Sequence, residues 1–113
     1  MNSIDSLAKA VVPYGYQGKI LLARVQNDDH QVIILRSGDL WHTAILRNLE
    51  EEVRSLGWEN AHVEELGGAH LSFQPDDSIL IWGTSDIYGA CDREYAAELV
   101  RPLWPDKKII VSD

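Results

Sequence analysis

The chain has 113 residues, 45% of them hydrophobic and 25% charged, the proportions of one ordinary globular domain. Its formal net charge of −8 argues against broad affinity for DNA, RNA or an anionic membrane, whose phosphates it would repel. A single cysteine excludes an internal disulfide framework. No apolar run reaches membrane-spanning length and the first residues lack a basic secretion leader, so a cytoplasmic location without nucleic-acid or membrane partners is expected.

Residues 1–17 are weakly patterned. Ile4, Leu7, Ala10 and Val11 suit a short helical turn or packing against a sheet, and residues 13–18 are turn-rich. Lys19 to Gln26 reads as the first strand, residues 27–30 as a hairpin turn and Gln31 to Arg36 as the second strand. Both strands are apolar at successive positions, which predicts a sheet covered on both faces. Ile45, Leu46, Leu49, Val53 and Leu56 recur at helical spacing, so a helix is expected from about Leu40 or Thr43 to Leu56, with Gly57 placed to end it. A short strand at His62 to Leu66, a break or bend at Gly67-Gly68, an alternating piece at Leu71 to Phe73 and a turn at residues 75–78 lead to a strand at Ile79 to Trp82. A glycine-bracketed loop, Gly83 to Gly89, follows. Asp92 is the expected N-cap of a second helix that carries Tyr95, Ala96, Leu99 and Val100 inward and is kinked or ended by Pro102. Ile109 to Val111 is the last strand. The prediction is a single-domain α/β (α+β) fold over residues 1–113: a mixed sheet of about six strands, order ββαβββαβ, with one helix packed on each face.

His42 falls at, or within about a turn of, the first helix N-terminus. The positive end of the helix dipole disfavours an imidazolium there, leaving a neutral ring with one nitrogen free to act as base or nucleophile. The unpaired amides of the same helix end suit a phosphate. Taken alone, His42 reads as an ordinary near-cap residue. Elsewhere, Cys91 lacks the arginine six positions on that a cysteine phosphatase requires, since position 97 is Ala97, and it reads as a small buried hydrophobe. No His-x-x-x-His or Cys-x-x-Cys pair suggests a metal, and no cofactor is expected. Glu50-Glu51-Glu52 reads as a solvated helix face. The Gly83–Gly89 loop fits neither a P-loop nor a dinucleotide fingerprint. It does fit a small anion nest after a buried strand, with amides at Ser85, Asp86 and Ile87 and a hydroxyl at Ser85; a plain strand-to-helix connection fits equally well. Lys19 gains interest only if its end of the sheet also carries His42 and Ser85.

The Lys19-Ile20-Leu21-Leu22 strand, Trp41-His42-Thr43 ahead of a helix, Leu66-Gly67-Gly68, the run Trp82 to Gly89 and Trp104-Pro105-Asp106 together resemble the Janus/Ocnus family of phosphohistidine phosphatases. The likeness runs from about Lys19 to Asp113. It implies a mixed sheet flanked by two helices and metal-independent removal of phosphate from histidine, in some cases lysine, of other proteins. It implies His42 as the catalytic histidine, Lys19 as the substrate-binding lysine and Ser85, Asp86 and Ile87 as the phosphate-binding turn. Three positions depart from the pattern. His70 stands where the family often carries an arginine, Asp86 brings a carboxylate into the phosphate loop, and Trp41 is the pocket neighbour here.

The expected chemistry is hydrolysis of a phosphoramidate P–N bond by a monomer, with His42 as general base or as nucleophile. The expected partners are phosphohistidine-containing proteins or peptides. His70 and Asp86 motivate a second reading, a domain that binds phosphoproteins without turning them over. A third is a small-molecule phosphoramidate hydrolase using the same pocket.

Overall fold

The computed structural model describes residues 6–112. Among them the order is β1 (Gln17–Asn27), β2 (His30–Ser37), α1 (His42–Ser55), β3 (His62–Phe73), β4 (Ile79–Trp82), α2 (Arg93–Val100) and β5 (Ile109–Val111). The five strands form one sheet in the order β2-β1-β3-β4-β5. All neighbours are antiparallel except β4 and β5, which run parallel, a pairing that the crossover through α2 makes possible. The fold is thus the expected mixed α+β sheet, with five strands where about six were expected.

The difference lies at Gly67-Gly68, which bends the chain without breaking the strand. β3 pairs with β1 on both sides of the glycines, and the register shifts between Leu21↔Gly68 and Ala23↔Glu65. That is a β-bulge, and Gly67 carries it at φ +105°. A Cβ on Gly67 would lie 2.7–2.8 Å from backbone atoms of Ala90 and Cys91, so only glycine fits this crossing. The two apolar pieces read on either side of the bend are one strand.

Alternation along the strands divides the interior into two layers. Ile20, Leu22, Leu35, Ala69, Leu71, Ile79 and Ile81 pack with Ala96, Ala97 and Val100 of α2. Ala23, Val25, Val32 and Ile34 pack with Leu49 and Val53 of α1, together with Leu7 and Trp58. One helix therefore covers each face of the sheet. In α2 the inward positions are Ala96, Ala97 and Val100, and Tyr95, expected inside, is 41% exposed. Small residues let this two-turn helix sit close to the sheet, and a tyrosine would hold it off. In the N-terminal segment Leu7 and Ala10 are buried, and the chain bridges β2 at Ala10↔Leu35, while Val11 is exposed. Ile4 lies outside the described residues.

Arg36, at the end of β2, is only 5% exposed. Its Nε and Nη2 each donate at 2.9 Å to the Glu52 carboxylate, and Nη1 donates to the carbonyls of Ala8 and Leu35. Glu52, read from the sequence as part of a solvated run, instead clamps the third turn of α1 to the sheet.

Candidate functional site

α1 starts at an extended N-cap, Trp41 (φ −129°, ψ 139°), with no side-chain cap and no acid in its first turn. Its first residue, His42, is 6% exposed. The His42 Nε2 lies 3.1 Å from the Ala69 carbonyl oxygen of β3. A carbonyl oxygen only accepts, so Nε2 carries the hydrogen and donates it. The neutral ring then holds its free lone pair on Nδ1. Burial lowers the His42 pKa below its usual 6.5; the Ala69 carbonyl opposes this, the Lys19 ammonium adds to it, and the Ile20 carbonyl and Asp86 oppose it more weakly. The net direction is down, so the imidazole is neutral at physiological pH.

Gly68 makes room for this ring. A Cβ at Gly68 would stand 2.4 Å from Cδ2 and 2.5 Å from Nε2 of His42, and 3.0 Å from the Ser85 Cβ. The Cδ2–Nε2 edge thus rests on the bare backbone of β3, and the Nδ1 side of the ring is turned away from it. His70 has the same kind of seat. A Cβ at Gly83 would lie 2.7 Å from its Cδ2. Its ring stacks on Trp82, with centroids 5.3 Å apart, and stands 6.1 Å from the His42 ring. The His70 pKa is lowered by burial, then by Lys19 and His42, with Asp86 opposing.

These groups line a pocket of about 190 Å³ together with Lys19, Trp41, Thr43, Thr84, Ser85, Asp86 and Ile87. Strand pairing sets Lys19 of β1 opposite His70 of β3. All five residues expected at the site, His42, Lys19, Ser85, Asp86 and Ile87, meet at this one depression. The loop chemistry differs in detail from expectation. Ser85 N donates to the Gly89 carbonyl at 3.2 Å, and Ile87 N donates to the Ser85 Oγ at 3.3 Å. Of the three amides expected to receive an anion, two are therefore engaged within the loop, the second through a long bond. The Asp86 amide makes no hydrogen bond among the described residues. The Ser85 Oγ also accepts from Tyr88 N at 3.1 Å. Having accepted twice, it keeps its own hydrogen to donate. The buried Ser85 thus shapes the loop and offers one hydroxyl donor.

Cys91 is 6% exposed, and burial pushes its thiol pKa up to about 11, which leaves it a core residue without nucleophilic character. The sequence marks neither of the two glycine seats nor the Trp82–His70 stack. The one available signal was the His70 departure itself, since Lys19↔His70 is a matter of strand register.

The Janus/Ocnus family model (Ocnus) matches residues 7–108. The chain belongs to the Janus/Ocnus family. No curated protein matches it at a significant level. The matched span of this Janus/Ocnus domain takes in β1 to β4 and both helices and stops just before β5, so His42, Lys19 and the Ser85–Ile87 turn all lie within it. No helix among its described residues is long and apolar enough to cross a membrane.

Proposed function

We propose that this domain is a protein phosphohistidine phosphatase that hydrolyses the P–N bond without a metal, in the cytoplasm and as a monomer. The observation that carries the reading is the buried, neutral His42, its Nε2 hydrogen committed to Ala69, at a pocket shared with Lys19 and the Ser85 hydroxyl. Family membership supports the same assignment.

The phosphoryl group enters the pocket with its charge opposed by the Lys19 ammonium. The Ser85 hydroxyl, the Asp86 amide and the uncapped start of α1 supply further donors. In the general-base route, His42 Nδ1 removes a proton from water as the water oxygen bonds to phosphorus. The P–N bond breaks, and the departing histidine nitrogen takes up a proton. In the nucleophilic route the same lone pair bonds to phosphorus as the substrate P–N bond breaks and the leaving nitrogen takes a proton from solvent; water then cleaves the phospho-enzyme and gives a proton back to solvent. Both use one free nitrogen, and phosphoryl transfer otherwise asks mainly for positioning and charge stabilisation.

The test is phosphate release from a phosphohistidine peptide, with and without chelator. The wild-type chain is expected to release phosphate in both. His42→Ala is expected to lower turnover by about 10²–10⁴-fold while binding is retained. Trapping of a phospho-enzyme by acid quench distinguishes nucleophile from base. Tight peptide binding without release would mark a phosphoprotein-reading domain instead. Preferential turnover of small phosphoramidates would mark a small-molecule hydrolase.

A further inference from the structure

Beside the pocket lies a larger groove of about 500 Å³, lined by residues 16–19, residues 38–40 and His70. It shares Lys19 and His70 with the smaller pocket, so the two depressions adjoin across those side chains. A phosphoryl group needs only the smaller one.

The groove exists because β2 ends early. The β1–β2 ladder starts at Ile20↔Ser37, whereas β1 stays paired with β3 through Lys19↔His70, Gly18↔Leu71 and Gln17↔Ser72. Residues 17–19 are therefore a strand with one open edge. Phe73 N donates to the Tyr16 carbonyl across β1 and β3. Gly68, five residues earlier on β3, bonds away from β1 to Gly89 and Cys91. Alternation then directs the N–H and C=O of Gln17 and Lys19 to the open side. The next rung of the β1–β2 ladder would join Lys19 to Gly38, and there the Tyr16 hydroxyl is inserted. It donates to the Lys19 carbonyl at 2.7 Å and accepts from Gly38 N at 3.0 Å. Gly18 leaves space for that ring, because a Cβ there would lie 2.9 Å from the hydroxyl oxygen. The Gln17 N–H and C=O and the Lys19 N–H have no partner on this side among the described residues. Leu40, on the groove, is 77% exposed.

An open strand edge with an apolar side chain nearby fits an extended polypeptide. Resting on the phosphatase reading, we propose that this groove binds the main chain flanking the phosphorylated residue of a protein substrate as an added β-strand. Hydrogen bonds to Gln17 and Lys19 hold that segment, and its phosphorylated side chain passes across Lys19 and His70 into the smaller pocket.

The test compares a short phosphohistidine peptide, the same peptide N-methylated at one backbone nitrogen at a time, and free phosphohistidine. It is combined with an amide-detected NMR titration of the wild-type chain by the unphosphorylated peptide. The expected result is a kcat/KM for the peptide well above that for free phosphohistidine. N-methylation should raise KM by roughly 3–10-fold at alternate positions only, with little change in kcat. In the titration the largest shifts should fall on the Gln17, Lys19 and Gly38 amides. Equal kcat/KM for peptide and free phosphohistidine, or N-methyl effects without alternation, would overturn the groove while leaving the phosphatase reading intact. Absence of all turnover would overturn that reading, and the NMR titration would then decide the groove by itself. Concentration-dependent shifts at the same amides without peptide would give the groove to a second copy of the chain and overturn the proposal.

Discussion

The two helices begin in opposite ways. α2 starts on Asp92, whose carboxylate accepts from Tyr95 N at 3.1 Å, and it carries Glu94 in its first turn. Its free amides and its dipole are answered locally, as a stable helix start requires. α1 starts on an exposed tryptophan with no side-chain cap and no acid in the first turn. It is held further along, by Leu49 and Val53 against the sheet and by Glu52 on the buried Arg36. The longer helix is thus fixed by its later turns, and its positive end stays open where His42 meets the pocket. A carboxylate cap there would fill the amides and repel an incoming phosphate. The contrast shows local stability left incomplete at the helix end that faces the candidate chemistry, and completed at the other.

The largest effect should come from removing what the open end rests on. Gly68→Ala places a methyl 2.4 Å from Cδ2 of His42, far inside van der Waals contact with the ring edge. Gly68 has an ordinary negative φ, so the added methyl is the whole perturbation. The ring must leave Ala69, and turnover should fall about as far as for loss of the base, roughly 10²–10⁴-fold. Phosphate release measured alongside a thermal melt checks this; full activity would show that His42 does not work from its observed place. Breaking the distant anchor is expected to act on stability first. Glu52→Ala leaves the Arg36 guanidinium buried with only its two carbonyl partners. Glu52 is 37% exposed in its side chain. A cost of about 2 kcal/mol is therefore expected in urea unfolding, under the roughly 3–5 kcal/mol of a fully buried pair.

Exchanging the two starts sharpens the comparison. Asp92→Ala should cost about 1 kcal/mol of stability with no change in kcat. Trp41→Asp should do the reverse, since Trp41 is 66% exposed and its loss opens no core. A cap and a favourable charge should raise stability by about 1 kcal/mol, while KM for a phosphorylated peptide rises. Unchanged KM in Trp41→Asp would show that the open helix end has no part in binding the anion.

Most of this organisation was legible in the chain. Doubly apolar runs at Lys19–Gln26 and Gln31–Arg36 announced a sheet covered on both faces, and helical spacing gave α1 to within a few residues. Asp92 was readable as a cap because capping is local chemistry. β3 was not readable as one strand, because paired glycines signal a turn, and only the neighbouring Ala90–Cys91 backbone explains why Gly67 is a bulge instead. His42, Lys19 and the Ser85 loop could be named from family likeness. Their meeting, and the part of His70 beside them, depends on strand register, which no local pattern states. The engaged amides of Ser85 and Ile87 escaped for a related reason: the Gly89 carbonyl and the Ser85 hydroxyl, turned back on their own loop, compete with a ligand for these donors.

The smallest effect concerns the carboxylate at the mouth of the pocket. Asp86 is exposed, and its charge raises the pKa of both His42 and His70, against burial and Lys19, which lower them. In the proposed mechanism His42 acts as a neutral ring, so kcat/KM should be flat above pH 6.5 and fall as pH drops through the depressed pKa. Asp86→Asn removes a raising charge, so that acid limb should move to lower pH. The same change removes repulsion of a phosphoryl anion, so KM should fall, most visibly at low salt. Stability follows the same sign. Below pH 6.5 the unfolded chain binds more protons at His42 and His70 than the folded chain does, so stability is present above that pH and lost as pH falls through the folded values. Asp86→Asn should make this loss steeper. A kcat/KM profile that moves to higher pH in Asp86→Asn would mean that a group other than His42 sets the limb, and would detach the open helix start from the chemistry assigned to it.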